Sequence, residues 1–261
     1  MDNTNTPPAD GAQDMNPPAP QAAAPRETQP LRPLASTIHT MWLLAFMSAW
    51  AYLGYIQAGR MRAMHAPNHF LLYLPTFAVE WLLFAYVVYG ARRHGVSLRE
   101  LLGPRWSKGE QTLVDIAIAA GFWIASLVIL ALVGHLIRAK PALENMKFML
   151  PETAVEMVFW VLLSITAGIC EETIFRAYLQ RQFAAWTRSL PVGVVVSAAL
   201  FGAGHIYQGG KQAIIIGVYG LLFGIMTALR KSVKPGMMAH GFQDSIAGIA
   251  ASLLSKFKIA P

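Results

Sequence analysis

The sequence predicts an all-α membrane protein of about seven or eight transmembrane helices. The 261-residue chain is 55% hydrophobic and only 13% charged, whereas soluble globular domains carry about 25% charged residues. Its mean hydropathy is positive. Apolar runs of about 20 residues, the length that crosses a bilayer core as a helix, recur along the chain between short polar segments.

Seven apolar runs are candidates for transmembrane helices, and an eighth would arise if one run is split. The fourth run begins after Pro151 and is unusually long. The fifth starts at Pro191, a residue that suits the first turn of a helix. The predicted helices are 40–58, 70–90, 113–137, 152–186, 191–206, 213–229 and 235–254.

The domain organisation predicted from composition is a disordered tail over 1–36 and a membrane domain over 37–261. The first 30 residues are rich in Pro, Ala, Gln and Asn, and they lack the basic and apolar regions of a signal peptide. Such a segment buries too little apolar surface to offset the entropy of ordering it. Within the basic segment 91–110, the residues Ser97–Glu100 fit a capping box that opens a short interfacial helix.

The net charge of +7 does not predict a nucleic-acid-binding protein, because the basic residues lie between apolar runs and form no single patch. Residues in such positions fix membrane topology and contact lipid headgroups, so membrane lipids are predicted partners. The excess of Lys and Arg on one side predicts a cytoplasmic N-terminus. We expect an integral protein of the inner membrane of a bacterial cell.

Residues 167–176 contain two adjacent carboxylates, Glu171 and Glu172, followed by Arg176. Ionisable groups at membrane depth are costly, so such a cluster indicates a functional site. Glu172 and Arg176 are four residues apart and can pair on one helix face. Glu171 points in another direction and has no local partner. The alternative is a structural ion pair, with Glu171 reaching water at the helix end.

Further polar residues lie in the fifth and seventh predicted helices. His205 ends the run Phe201–His205, and His240 shares a helix face with Asp244, four residues later. A lone transmembrane histidine is usually a satisfied hydrogen-bonding residue. Two histidines together with Asp244 and Glu171, all in the last third of the chain, favour a common site.

Three other residues are interpreted as structural. Glu80 and Asp115 lie alone in the second and third apolar runs. Cys170 adjoins the glutamate pair, but a free cysteine is usually a small buried hydrophobe. As the single cysteine of the chain, it excludes an internal disulfide and a multi-cysteine metal site.

The candidate site residues suit the hydrolysis of an acyl bond. A desolvated carboxylate such as Glu171, with His205 beside it, can take a proton from water. A second histidine, His240, can donate to the oxyanion that forms. The same three residues and Asp244 also suit a divalent metal such as zinc, so a metal-dependent route stays open. The HExxH motif of zincins is absent from the sequence.

Three motifs resemble those of the CPBP (also called Abi) family of intramembrane endopeptidases, which contains the type II CAAX prenyl proteases. They occur in the family's order, within residues 150–255. The first three apolar runs carry no such motif. Glu171–Arg176 matches EExxxR, Phe201–His205 matches FxxxH, and His240–Asp244 resembles HxxxN, with aspartate where the family often has asparagine.

The resemblance implies a hydrolase that cleaves a membrane-associated peptide or protein. Glu171 and His205 would activate the attacking water, and His240 would help to form the oxyanion hole. Glu172, paired with Arg176, would fix the helix. An ionised aspartate repels an oxyanion, so the residue at 244 either is protonated or orients the histidine.

Two other functions use the same residues. A proton-coupled or ion-coupled transporter would carry buried ionisable groups, although no internal repeat of the transporter type is found. A non-enzymatic regulator of the same fold would not need Glu171.

Helix lengths constrain how the motifs can meet. At about 1.5 Å per residue, His205 lies much farther from the start of its predicted helix than His240 does. The two meet only if the fourth helix passes beyond the bilayer. We therefore expect one continuous fourth helix that reaches about Trp186.

Overall fold

The computed structural model describes residue 1 and residues 31–64, 68–106, 108–140 and 146–256, without the side chains of the last two. These residues form an all-α fold, with eight helices of five residues or more and no strand. The predicted tail lies mostly outside them. The helices are α1 (Thr37–Arg62), α2 (Phe70–Arg93), α3 (Leu98–Leu102), α4 (Gly109–Leu136), α5 (Ala154–Thr187), α6 (Leu190–Gly204), α7 (Gly210–Arg230) and α8 (Lys234–Lys256).

All seven predicted helices are present as helices, and the predicted interfacial helix is α3. Ser97 Oγ accepts a hydrogen bond from the backbone N–H of Glu100, which starts α3 as the sequence predicts. In the described part of the chain, four helices are long and apolar enough to cross a membrane, namely α2, α4, α5 and α7. Helix α6 is apolar but has only 15 residues. The number of helices that cross stays a prediction.

Helix α5 runs without a break from Ala154 to Thr187, which confirms the predicted continuous fourth helix. A capping box starts it: Thr153 Oγ1 accepts from the backbone N–H of Glu156, whose carboxylate accepts from the Thr153 N–H. Its 34 residues span about 51 Å at 1.5 Å per residue. A π-helical segment, Glu172–Leu179, interrupts the regular turns. Such segments are rare and occur frequently at functional sites.

The π-helical segment lies at the centre of the buried core. Its residues Ile174, Phe175 and Tyr178 are buried and share an apolar cluster with side chains of α1, α2 and α6. In contrast, large apolar residues such as Val128 of α4 point outwards and are exposed. A bundle with a packed centre and an apolar outer surface is suited to a lipid environment.

Glycines allow α5 and α8 to approach each other closely. A Cβ atom added to Gly168 would lie 2.6 Å from the carbonyl oxygen of Met237, and one added to Gly248 would collide with the Trp160 indole. The Trp160 Nε1–H donates to the carbonyl of Asp244 at 2.8 Å. Small residues are the usual means of such approach in membrane helices. The contact holds the two helices that carry the first and third motifs side by side.

The residues just before α1 are packed against the far end of α5. Leu34 and Ala35 are buried, and their backbone N–H groups both donate to Oε1 of Gln182. The folded part of the chain therefore begins before the predicted boundary at 36.

Candidate active site

The predicted pair of Glu172 and Arg176 is present in the π-helical segment of α5. Arg176 Nη1 lies 3.0 Å from Glu172 Oε1, and both side chains are almost fully buried. The N–H groups of Arg176 are not aimed at the oxygen, so the contact is an ion pair and not a well-aligned hydrogen bond. The guanidinium carbon lies 4.1 Å from the ring centre of Phe201, a favourable cation–π distance.

His240 of α8 joins the first motif to the third. Its Nδ1–H donates to Glu172 Oε1 at 3.1 Å, because an ion-paired carboxylate can only accept. Its Nε2 lies 3.8 Å from Glu171 Oε2 and 3.4 Å from Asp244 Oδ2. Both glutamates of the first motif therefore face one imidazole. The sequence predicted the arginine as the partner of Glu172 but not this histidine.

The exposure of these carboxylates differs. The Glu172 side chain is fully buried, the Glu171 side chain is 17% exposed, and the Asp244 side chain is 40% exposed. The cluster is therefore buried around the ion pair and exposed around Asp244, which forms its open side.

His205 lies at the C-terminal end of α6 in a defined tautomer. Its Nδ1 is 2.8 Å from the carbonyl oxygen of Phe201, and a carbonyl only accepts, so Nδ1 carries the proton. In the neutral ring the lone pair is then on Nε2. The Phe201 ring contacts both histidines, with ring centres 4.8 Å from His205 and 5.9 Å from His240. Among the described contacts, His205 is linked to the carboxylate cluster through this ring and not by a direct hydrogen bond.

Glu80 was not predicted to belong to the site. It lies on α2 with only 9% of its surface exposed, and it is near enough to Glu171, His240 and Asp244 to interact with them electrostatically. The interpretation of Glu80 as an isolated residue is therefore wrong. The sequence does contain a signal for Glu80, because a carboxylate in the middle of an apolar run is costly. This argument applies to Glu80 as much as to Glu171.

Asp115 has the surroundings of a structural residue. Its Oδ2 accepts from Trp106 Nε1 at 2.7 Å, and its Oδ1 accepts from Arg230 Nε at 2.8 Å. Cys170 is fully buried in the core and has a free thiol. Both residues fit their structural interpretation.

The four candidate metal ligands do not fit a metal site in this arrangement. Among the described residues, no group of three or more His, Cys, Asp or Glu side chains has a geometry that would hold a metal ion. In both histidines Nδ1 is engaged, by Glu172 in His240 and by a backbone carbonyl in His205, which leaves Nε2 as the atom for another ligand.

The fold and the cluster define a helical membrane protein with a polar site among its buried side chains. Residues 153–246 match the family model described as "Type II CAAX prenyl endopeptidase Rce1-like". This segment contains all three motifs, so the match confirms the resemblance of the motif-bearing part of the chain to these intramembrane proteases. With its long apolar helices, the protein is an integral membrane protein. The chain has no significant match among curated proteins or among solved structures.

Proposed function

We propose that the protein is an intramembrane endopeptidase that hydrolyses a peptide bond of a membrane-associated substrate. The observation that carries this proposal is the position of His240, whose two ring nitrogens face the two glutamates of the first motif. His240 and Glu172, which are 68 positions apart in the sequence, thus meet in one cluster. A protease that uses glutamate and histidine together needs such a meeting. A structural ion pair alone would not need this histidine.

Glu171 and His205 are proposed to activate the attacking water. Glu171 is the less buried of the paired glutamates, and its Oε2 lies 3.8 Å from Nε2 of His240. The Nε2 atom of His205 carries a lone pair, because Nδ1–H is held by the Phe201 carbonyl. A water that donates to these two groups would lose one proton to Glu171 as its oxygen attacks the carbonyl carbon of the scissile bond.

His240 is proposed to stabilise the tetrahedral intermediate, whose oxygen becomes negatively charged. A proton on Nε2 would donate to this oxyanion, and the Nδ1–H bond to Glu172 would hold the ring in orientation. The C–N bond then breaks, and the proton taken from water passes to the leaving amine. The 3.4 Å distance to Asp244 supports a role for this residue in orienting His240.

An apolar groove on the bundle supports a substrate with an apolar segment. The groove has a volume of about 330 Å³ and lies between α6 and α7. Its lining includes Gly202, Ala203, Ala213 and Gly217. A Cβ atom added to Gly217 would lie 3.6 Å from the carbonyl oxygen of Ala198, an ordinary contact, so an alanine at 217 would narrow the groove without displacing a helix.

The decisive experiment is peptide cleavage by the purified full-length protein in lipid vesicles. Fluorogenic peptides with and without a prenyl group are offered to wild type, Glu171→Gln, His205→Ala and Cys170→Ala. Loss of a general base typically costs a factor of about 10²–10⁴, so we expect that loss in the first two variants. Cys170→Ala, next to the glutamate pair, is the matched control and should cleave like wild type.

The outcomes separate the three candidate functions. Full activity of Glu171→Gln would contradict the proposed base, and loss of activity in Cys170→Ala would indicate a thiol protease. Ion-coupled flux without cleavage would indicate a transporter. A regulator would keep its cellular effect in Glu171→Gln. Repeating the cleavage assay with a chelator tests the metal-dependent route.

We also propose that the N-terminus is cytoplasmic and that the protein lies in a bacterial inner membrane. The basic residues Arg92 and Arg93 at the end of α2 support a membrane–water boundary at that point. In a Cys170→Ala background, a cysteine between α1 and α2 should be labelled by a membrane-impermeant reagent in intact cells, whereas cysteines before α1 and after α2 should be protected. Equal labelling would contradict the topology.

A further inference from the structure

His205 is joined to Glu171 by no hydrogen bond among the described contacts, although the proposed reaction needs the two residues side by side. It lies just after the end of α6. Helices α5 and α6 are connected by only two residues, Arg188 and Ser189, so they run antiparallel as a helical hairpin. The position of His205 relative to Glu171 therefore depends on how α6 is aligned along α5.

A serine on α6 makes a hydrogen bond that can fix this alignment. Ser197 Oγ donates to the backbone carbonyl of Phe175, in the π-helical segment, at 2.6 Å. The serine is only 2% exposed. Among the hydrogen bonds of the described residues, this one alone joins the side of α6 to the side of α5. Hydrogen bonds are directional, whereas apolar contacts are not and allow packed helices to slide.

The direction of the Ser197 hydroxyl differs from that of other helix hydroxyls in this chain. A serine or threonine inside a helix commonly bonds the carbonyl four residues earlier on its own helix. Thr76, Ser164, Thr173 and Ser245 all do so. Ser197 instead reaches across to α5. Its hydrogen bond therefore ties two helices together, which a bond within one helix does not.

The Phe175 carbonyl does not need Ser197 as a partner. It already accepts from the backbone N–H of Gln180, five residues later, the spacing of a π-helix. A carbonyl oxygen has two lone pairs, so the serine hydroxyl is its second donor. Without the hydroxyl, this buried carbonyl would still have its backbone partner. Loss of the hydroxyl should therefore affect the alignment of the two helices more than the stability of the protein.

The same stripe of α6 carries Ser197, Phe201 and His205, at intervals of four residues along one ridge of the helix surface. The Phe201 ring packs against Phe175, with ring centres 5.0 Å apart, and against His205. Glu171 precedes the bonded carbonyl by four residues, and His205 follows the bonded serine by eight. Because the helices are antiparallel, both lie on the same side of the hydrogen bond. A shift of α6 at Ser197 would thus move His205 directly along Glu171.

We propose that Ser197 is a positioning residue: its hydrogen bond to the Phe175 carbonyl fixes the alignment of α6 on α5 and so holds His205 beside Glu171. This inference rests on the proposed function, in which Glu171 and His205 activate the attacking water. Without the hydrogen bond, α6 can slide along α5 and separate the two groups. A misplacement of about 1 Å can lower a catalytic rate by about a hundredfold.

The first test compares Ser197→Ala with Ser197→Thr in the vesicle cleavage assay. Alanine removes the donor, so kcat should fall about tenfold or more while KM stays unchanged, the pattern of a lost transition-state interaction. Threonine keeps a hydroxyl in the same place, so kcat should stay within about threefold of wild type. Ser164→Ala is the matched control and should cleave like wild type, because the Ser164 hydroxyl is also buried but is bonded within α5.

A purely structural role for Ser197 makes a different prediction. Ser197→Ala would then melt at a lower temperature but keep the wild-type kcat at temperatures where it is folded. That outcome, or an equal loss of kcat in Ser197→Thr, would overturn the positioning role. If Ser197→Ala does not fold, Ser197→Cys takes its place, because a thiol fills similar space with a weak donor. Its kcat should fall about threefold or more, and a wild-type kcat would overturn the proposal.

Spin-label distances provide a second test that does not depend on proteolysis. Leu162 on α5 and Val195 on α6 are exposed, so each can be replaced by a labelled cysteine in a Cys170→Ala background. In vesicles, the distance between the labels should shift or broaden when Ser197→Ala is added and stay unchanged with Ser197→Thr. Equal distance distributions with and without Ser197→Ala would overturn the proposal. If the distances behave as expected but wild type cleaves no peptide, the alignment by Ser197 stands and the proposed protease function is wrong.

Discussion

Two regions of the bundle bury carboxylates in different ways. At the end where α4 meets α7, both oxygens of Asp115 accept hydrogen bonds, and its partner Arg230 is 37% exposed. In the centre of the bundle, Glu80, Glu171 and Glu172 each keep a buried Oε2 without a donor. In the first region the carboxylate has all its hydrogen bonds and its partner reaches the surface. In the second, several ionisable groups lie close together and some of their oxygens have no hydrogen-bond donor.

The difference distinguishes a structural carboxylate from a candidate catalytic one. Buried polar groups are normally hydrogen-bonded, and each exception calls for an explanation. At Asp115 there is nothing to explain, since its bonds stabilise the junction of two helices. Around Glu171 the missing donors coincide with His240 and the open side of the cluster. The unsatisfied oxygens are the ones that a bound water molecule would use.

The largest effect is expected from breaking the central ion pair. Glu172→Ala leaves the fully buried Arg176 without its carboxylate, and the loss of one partner of a buried pair costs about 3–5 kcal/mol. Asp115→Ala should cost only about 1 kcal/mol, because Arg230 can turn to water. Unfolding in detergent, followed by circular dichroism, measures both. Equal destabilisation of the two variants would remove the distinction between the regions.

A smaller effect is expected from closing the space between α5 and α8. In Gly168→Ala the new methyl group would meet the backbone of Met237, and overpacking of this kind costs about 1–3 kcal/mol. The helices should separate and the distance between His240 and Glu171 should grow, so activity should fall as well. Gly121→Ala is the control, because a Cβ atom there meets nothing within 4 Å. An active, stable Gly168→Ala protein would show that the close approach is dispensable.

Arg176→Lys tests how far the central cation depends on its aromatic surroundings. A lysine keeps the charge, but it cannot stack a planar guanidinium on Phe201 and Phe223. We expect a loss of about 1–2 kcal/mol, the size of a desolvated cation–π contact. Arg230→Lys should change stability by less than about 0.5 kcal/mol, since surface ion pairs contribute little. Denaturant titration of both variants measures the loss of unfolding free energy. Equal losses in the two variants would contradict the role of the aromatic rings.

The smallest effect is expected from Asp244→Asn. An asparagine can still hydrogen-bond His240, and Asp244 is the most exposed member of the cluster. Losing part of one hydrogen bond costs about 1 kcal/mol, so kcat/KM should fall by no more than about fivefold. His240→Ala should instead lose a factor of about 10²–10³, as for an oxyanion-hole donor. Larger loss in Asp244→Asn than in His240→Ala would assign the main role to the aspartate.

Much of the fold could be predicted because helices in a membrane follow from apolar runs and their breaks. The long α5 could be predicted from the distances of His205 and His240 from their helix starts. The π-helical segment could not, since the same residues are compatible with regular turns. The burial of Leu34 and Ala35 was also missed, because it depends on the distant Gln182.

The site could be predicted where its residues share a local spacing. Glu172 and Arg176 pair across one turn, and His240 and Asp244 do the same, so their contacts follow from the sequence. The hydrogen bond from His240 to Glu172 and the electrostatic contact of Glu80 with Glu171 join residues on different helices. They depend on how the helices pack, which the sequence pattern does not specify.

The π-helical segment also makes α5 sensitive to the deletion of a residue. At one end of the segment, Glu171 and Glu172 face His240. Beyond its other end, Gln182 binds the backbone ahead of α1. Removing one residue from 173–178 would rotate one end of α5 against the other by about 100°. Either the glutamates would turn away from the histidine, or Gln182 would turn away from Leu34. In this stretch a deletion should be more harmful than most substitutions.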